Sequence, residues 1–120
     1  MNQQKIDDAI QMGILIMKKH APYQWGILSR NIVRDDRDLT GRTIVLGGEN
    51  APYTKYTIKE WARGTNPNAG WLERAIEEWK PHLKRILTGN MNRTQYNQIK
   101  LEQEVKWQEK LEERKRKLRV

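Results

Sequence analysis

The stretch over residues 41–75, GRTIVLGGENAPYTKYTIKEWARGTNPNAGWLERA, constrains the fold more than any other part of the chain. It opens on a short β-branched and apolar run, Thr43 to Leu46, with glycine on both sides (Gly41, Gly47, Gly48). That pattern predicts a buried strand ending in a tight turn. An aromatic-rich piece with Tyr53, Tyr56 and Trp61 follows, then a Gly-Thr-Asn-Pro-Asn turn and a helix start at Trp71. These residue types pack and make contacts, and none is arranged for bond-making chemistry.

Composition sets the scale of the core. With 120 residues the chain is one domain. Only 37% of residues are apolar while 32% are charged, so the core is small or part of the chain stands outside it. Phenylalanine is absent, and five tryptophans and four tyrosines carry the aromatic load. Such residues bury a large area while keeping a polar atom, and they are enriched at protein contacts. Without cysteine there are no disulfides, cysteine zinc sites or thiol chemistry. The first residues, MNQQKIDDAIQMG, lack a signal-peptide pattern, and no apolar run approaches a membrane span, which predicts a soluble chain in a reducing cytosol.

Apolar residues at Ile6, Ala9, Ile10, Gly13, Ile14 and Met17 form one stripe at helical spacing. Asp7 and Asp8 are placed in the first turn of that helix and Lys18, Lys19 and His20 in its last, with Pro22 as the stop. Residues 23–33 read as a first strand, the charged run at 34–38 as a turn, and residues 43–46 as the returning strand of an antiparallel hairpin. Residues 50–56 fit either a third strand or a helical turn. A second helix is predicted from Ala69 to about Leu87, with Asn68 as cap, Pro81 kinking or splitting it, and Gly89-Asn90 ending it. Residues 92–120 are helix-forming but sparsely apolar, which predicts a projecting arm or a partly frayed tail. The fold class is α+β: an N-terminal helix, a small antiparallel sheet, a second helix packed on it, and an extended C-terminal helix. The core domain is assigned to residues 1–91 and the arm to 92–120.

The charge excess of +8 is shared evenly between the two parts, about four charges each, although the arm is three times shorter. Residues 1–91 carry 14 Lys/Arg against 10 Asp/Glu, and residues 92–120 carry 9 against 5. The run Arg114, Lys115, Arg116, Lys117, Leu118, Arg119 suits a phosphate backbone, an acidic protein surface, or merely the basic end of a solvated helix. No metal, cofactor or catalytic set is predicted. His20 and His82 lack a second ligand at metal spacing, and the Gly47-Gly48-Glu49-Asn50 turn lacks the lysine and spacing of a P-loop. Asp35, Asp36 and Asp38 are interleaved with Arg34 and Arg37 in one turn, which reads as a solvated loop.

Two stretches carry a resemblance. Residues 21–32, APYQWGILSRNI, resemble a segment in which a helix ends at Ala-Pro and a Gly-x-Leu-x-x-Ser/Asn-Ile strand begins. Residues 51–75, APYTKYTIKEWARGTNPNAGWLERA, resemble the later aromatic, Gly-Thr, proline and Leu-x-x-Ala stretch of the same family. That family is the tail-completion and head-to-tail joining proteins of long-tailed bacteriophages, often described as minor tail or minor capsid proteins. The likeness spans about residues 5–88. Trp25 before Gly26 and the spread of Trp61-Ala62-Arg63-Gly64 depart from the family pattern, and the arm lies outside it.

The resemblance implies a non-enzymatic subunit of a ring, commonly of six, at the neck of the virion. Its partners would be copies of itself and the neighbouring neck and tail-tube proteins. The ring would surround a DNA channel, assembled in the host cytoplasm, with no membrane and no cofactor. Ile27, Leu28, Ile32, Ile44 and Leu46 on the hairpin edges are the first candidates for ring contacts, because an unpaired strand edge invites a neighbour. Tyr53, Tyr56 and Trp61 are the second. The alternative is a small basic nucleic-acid-binding protein acting through the C-terminal helix; a phage-encoded inhibitor of a host protein is a third reading.

Overall fold

The computed structural model describes residues 2–22, 27–50, 54–58 and 69–118. It is α+β and mostly helical. In chain order the elements are α1 (Gln3–His20), α2 (Ile27–Arg30), β1 (Ile32–Arg34), β2 (Ile44–Leu46), a 3-10 turn (Gly48–Asn50), α3 (Thr54–Ile58), α4 (Trp71–Leu87) and α5 (Arg93–Leu118).

Helix α1 is the centre of the molecule. Ile6, Ala9, Ile10, Met12, Gly13, Ile14, Leu15, Ile16 and Met17 are all buried, which is far more than one stripe. A helix apolar on most sides needs cover on most sides. Here α4, α5, α2 and β1 all pack against it. Asn2 caps its start by accepting a hydrogen bond from Gln4 N at 2.9 Å. Because the helix begins at Gln3, Asp7 and Asp8 fall in its second turn rather than its first. There they make ion pairs to the rest of the chain, Asp7 with Arg34 and Asp8 with Arg93, both at 2.8 Å.

The α1–α4 contact is made close by a glycine. A Cβ at Gly13 would stand 2.5 Å from Cε2 of Trp79. The indole lies across the helix at that point and donates from Nε1 to the Ala9 carbonyl at 3.0 Å. Pro81 does not split α4, which continues from Trp71 to Leu87. Its ring is on an exposed face, so the carbonyl left without a partner one turn earlier, on exposed Glu77, is on the water side. Gly70, in the left-handed region at φ 82°, occupies the cap position of α4, and the expected cap Asn68 lies outside the described residues. At the far end Gly89 N and Asn90 N bond to the Ile86 and Arg85 carbonyls at 3.2 and 2.8 Å. That is a Schellman stop on a glycine with φ 76°.

The hairpin is antiparallel as expected, with Ile32 facing Leu46, Val33 facing Val45 and Arg34 facing Ile44. Its first strand is shorter than predicted. Residues 27–30 form a helical turn, not a strand, and pairing begins only at Ile32. The alternating pattern in 27–33 is consistent with both, and burial decides between them: the turn places Leu28 and Ser29 together in the core. The described part of the 50–56 region is helical, and α3 is tied to α4 by Gly70 N to the Ile58 carbonyl (3.0 Å) and Trp71 Nε1 to Thr57 Oγ1 (3.0 Å).

Helix α5 does not project as an arm along its first five turns. Tyr96, Gln103 and Leu111 are buried. Tyr96 donates its hydroxyl to the Asp8 carbonyl at 3.1 Å, and Lys110 reaches the Lys19 carbonyl at 2.8 Å. The two helices are thus joined near both ends of α1.

Candidate functional site

Two groups of residues were candidates for contact, and the structure treats them differently. Leu28 and Ile32 are core residues, with 1% and 0% of their surface exposed, so they offer nothing to a neighbour. The helical turn rotates Leu28 inward, and Ile32 sits where β1 meets α1. Ile44 and Leu46 are half-buried and pack against the same core. Val33, on the opposite face of β1, is the exposed apolar residue of the hairpin strands. Ile27 lies in α2 and Tyr56 in α3, but their side chains are outside the described set, as are Tyr53 and Trp61 altogether.

In the basic run, Lys115 and Arg116 are exposed on the last turns of α5, Lys115 3.5 Å from Glu112. Arg114 and Lys117 belong to the same helix, with side chains outside the described set, and Arg119 lies beyond it.

The densest group of titratable side chains joins α1, α4 and α5. Glu78 of α4 accepts from Lys19 on one carboxylate oxygen and lies 3.2 Å from His20 Nε2 on the other. Burial alone would raise the Glu78 carboxyl, but the hydrogen bonds from Lys19 and His20 outweigh it and hold it below its ordinary value. Burial lowers His20, against the pull of Glu78, and burial also lowers His82 nearby. Lys110 is lowered by burial and then by the charge of Lys19. Both oxygens of Glu78 are engaged, so the group acts as a tie between helices. Further along, the Lys18 ammonium stands 4.7 Å above the Trp107 ring, while Gln103 Oε1 and Trp107 Nε1 are buried without a hydrogen-bond partner among the described residues. None of this was read from the sequence, because Lys19, Glu78 and Lys110 carry no spacing signal.

The loop between β1 and β2 is not merely a solvated turn. Asp38 Oδ1 accepts from Thr40 N and Thr40 Oγ1 at 2.9 and 2.7 Å, and Oδ2 from Arg42 N and Thr43 Oγ1 at 3.2 and 2.6 Å. The hydroxyls of Thr40 and Thr43 hold its carboxyl far below the ordinary carboxylate range. Arg34 ties the loop back, donating to the Gly41 carbonyl and to Asp7, each at 2.8 Å. Gly41, at φ 68°, has room for no Cβ, which would meet the Arg34 guanidinium at 1.9 Å. Asp38 therefore staples the loop and Asp35 accepts from Arg37 N at 2.9 Å, while Leu39 beside Asp38 is exposed.

No family model, curated protein or solved structure matches this chain.

Proposed function

We propose that the chain is a non-enzymatic structural subunit of a long-tailed bacteriophage virion, acting at the head–tail junction as a tail-completion or head–tail joining protein. The observation that carries this reading is the resemblance of residues 21–32 and 51–75 to that family. The order of a buried first helix, a short antiparallel hairpin and an amphipathic second helix supports it. So does the hairpin itself, a two-stranded sheet whose outer edges carry no further strand among the described residues. Such edges are natural sites for pairing with a neighbouring chain. In this reading the subunits form a ring through head-to-tail contacts that close by rotation.

The experiment is localisation: gold-labelled antibody against the chain, applied to intact virions, should decorate the neck. Label on the capsid shell or tail tip, or none on purified virions, would refute the reading.

The exposed Lys115 and Arg116 favour one secondary role, non-specific contact with DNA passing through such a ring. Affinity for duplex DNA that falls steeply with salt, and is lost when the basic run is neutralised, would support it.

A further inference from the structure

At the end of α1 one carboxylate serves a crowd of cations. Glu78 of α4 engages Lys19 with one oxygen and His20 Nε2 with the other, the latter at 3.2 Å. Helix α5 enters the same corner with Lys110, whose Nζ donates to the Lys19 carbonyl at 2.8 Å. The charged and titratable groups facing this corner from α1 are Lys18, Lys19 and His20. Those from α4 are Arg74, Glu78, His82 and Arg85, and those from α5 are Glu104, Lys110 and Glu113. With both histidines neutral, Lys18, Lys19, Arg74, Arg85 and Lys110 already stand against only three carboxylates.

His20 is enclosed in this corner, with 20% of its side chain exposed. Burial opposes a charge on the imidazole first of all, Glu78 favours one, and Lys19 and Lys110 oppose it. Relief needs water on the ring and distance from an ammonium, and moving Lys110 away supplies both. Helices α1 and α4 are poorly placed to part, because the Trp79 indole lies against Gly13 and its Nε1 is bonded to the Ala9 carbonyl. Helix α5 is held unevenly. Near its start Tyr96 is buried and bonds the Asp8 carbonyl at 3.1 Å, and Arg93 pairs with Asp8 at 2.8 Å. Further along, its buried side chains are Gln103 and Leu111, and Gln103 Oε1 and Trp107 Nε1 are buried with no hydrogen-bond partner among the described residues. Such atoms regain a partner when water reaches them, so this half leaves at the least cost.

We propose that His20 is an acid-sensitive latch: protonation of its imidazole swings the half of α5 beyond Gln103 away from α1, while α1, α4 and the hairpin stay packed. The pivot is the Tyr96–Asp8 end. The swing uncovers Trp107 and Leu111 and carries the basic end of the helix off the body of the molecule. Linkage gives its sign. Open, His20 titrates at its ordinary value of 6.5, and closed it titrates lower, so the open form binds the extra proton. The open-to-closed ratio is flat above about pH 7.5 and rises by up to tenfold per pH unit below 6.5.

The test uses the full chain, which has no cysteine of its own, with pairs of spin labels on introduced cysteines and distances read by double electron–electron resonance. Exposed Glu73 on α4 is paired with exposed Gln108 on the moving half, or with exposed Asn97 near the pivot. From about pH 7.5 to about pH 5 the 73–108 distance should lengthen and broaden reversibly, and the 73–97 distance should stay narrow. His20→Gln should keep the 73–108 distance narrow at the acid end. His82→Asn, whose ring faces Glu78, Arg85 and Lys19 rather than α5, should open like the wild type. Imidazole titration followed by NMR in the chain with both histidines should place the His20 midpoint at the pH of opening. The proposal is overturned if the wild-type 73–108 distance stays fixed, if both distances broaden together, or if His20→Gln opens like the wild type. It is also overturned if His82→Asn stays closed, or if His20 titrates with no change in distance. Each of these outcomes leaves the head–tail assignment standing, because that is decided on virions.

Discussion

Replacing Gly13 by alanine tests the helix crossing on which the whole fold depends. In an isolated helix the change is favourable by about 1 kcal/mol. In this chain the added methyl would stand 2.5 and 2.6 Å from Cε2 and Cζ2 of Trp79, well inside contact distance. The indole cannot simply slide, because its Nε1 is bonded to the Ala9 carbonyl one turn away. Overpacking of this kind costs about 1–3 kcal/mol, and losing the indole hydrogen bond about 1 more. Set against the helix-propensity gain, the net is a loss of about 1–3 kcal/mol. For a chain of this size that lowers Tm by roughly 3–6 °C per kcal/mol. The assay is urea unfolding followed by far-UV circular dichroism, comparing Gly13→Ala in the wild-type and Trp79→Leu backgrounds. With the indole gone, alanine should become stabilising by about 1 kcal/mol. A Gly13→Ala chain as stable as the wild type, or more so, would refute the crossing.

Four other perturbations follow from the same structure. Pro81→Ala restores a hydrogen-bond donor inside α4 at an exposed position and should stabilise the chain by about 1–2 kcal/mol, measured by urea midpoint. His20 and His82 both titrate below the ordinary value when folded, so the unfolded chain binds more protons below 6.5. Stability should therefore fall as pH drops from 7 toward 5, and a chain carrying His20→Gln and His82→Asn should show a flatter Tm profile there. The Tyr96 phenol is pushed up to about 12 by burial and by the charge of Asp8, so its contribution is complete below pH 10 and lost as pH rises from 10 through 12. Tyr96→Phe should lose about 1 kcal/mol at pH 7 with the hydroxyl bond to Asp8, and the gap to the wild type should shrink at alkaline pH. Ending the chain before Arg93 removes the buried Tyr96 and Leu111 and should cost about 3–6 kcal/mol of unfolding free energy, measured by urea denaturation, whereas a dispensable arm would leave it unchanged.

The parts of this fold that could be read in advance are those where local chemistry and tertiary packing agree. The helical spacing from Ile6 to Met17, the strand between glycines and the Gly89-Asn90 stop each state their structure locally and are found in place, although β2 is half-buried where a buried strand is expected and α1 is buried on more than one stripe. Residues 27–30 were misread because an alternating pattern also satisfies one helical turn, and only the docking of Leu28 on the core distinguishes them. Helix α5 was misread for a different reason. Its inner face is built from Tyr96, Gln103, Trp107, Lys110 and Leu111, so half of what packs on α1 is polar and no apolar periodicity announces it. The sign of docking lies instead on α1, whose apolar residues exceed what one neighbour covers. Of the expected contact residues, the hairpin positions Leu28 and Ile32 proved to be core, because hydrophobicity marks a core and an interface alike.

The central claim is the position of the protein at the head–tail joint, and electron microscopy of the lysate from a phage lacking this gene tests it most directly. The account predicts filled heads and finished tails lying apart, or overlong and ragged tails if the chain terminates the tube. Normal, infectious particles would contradict it.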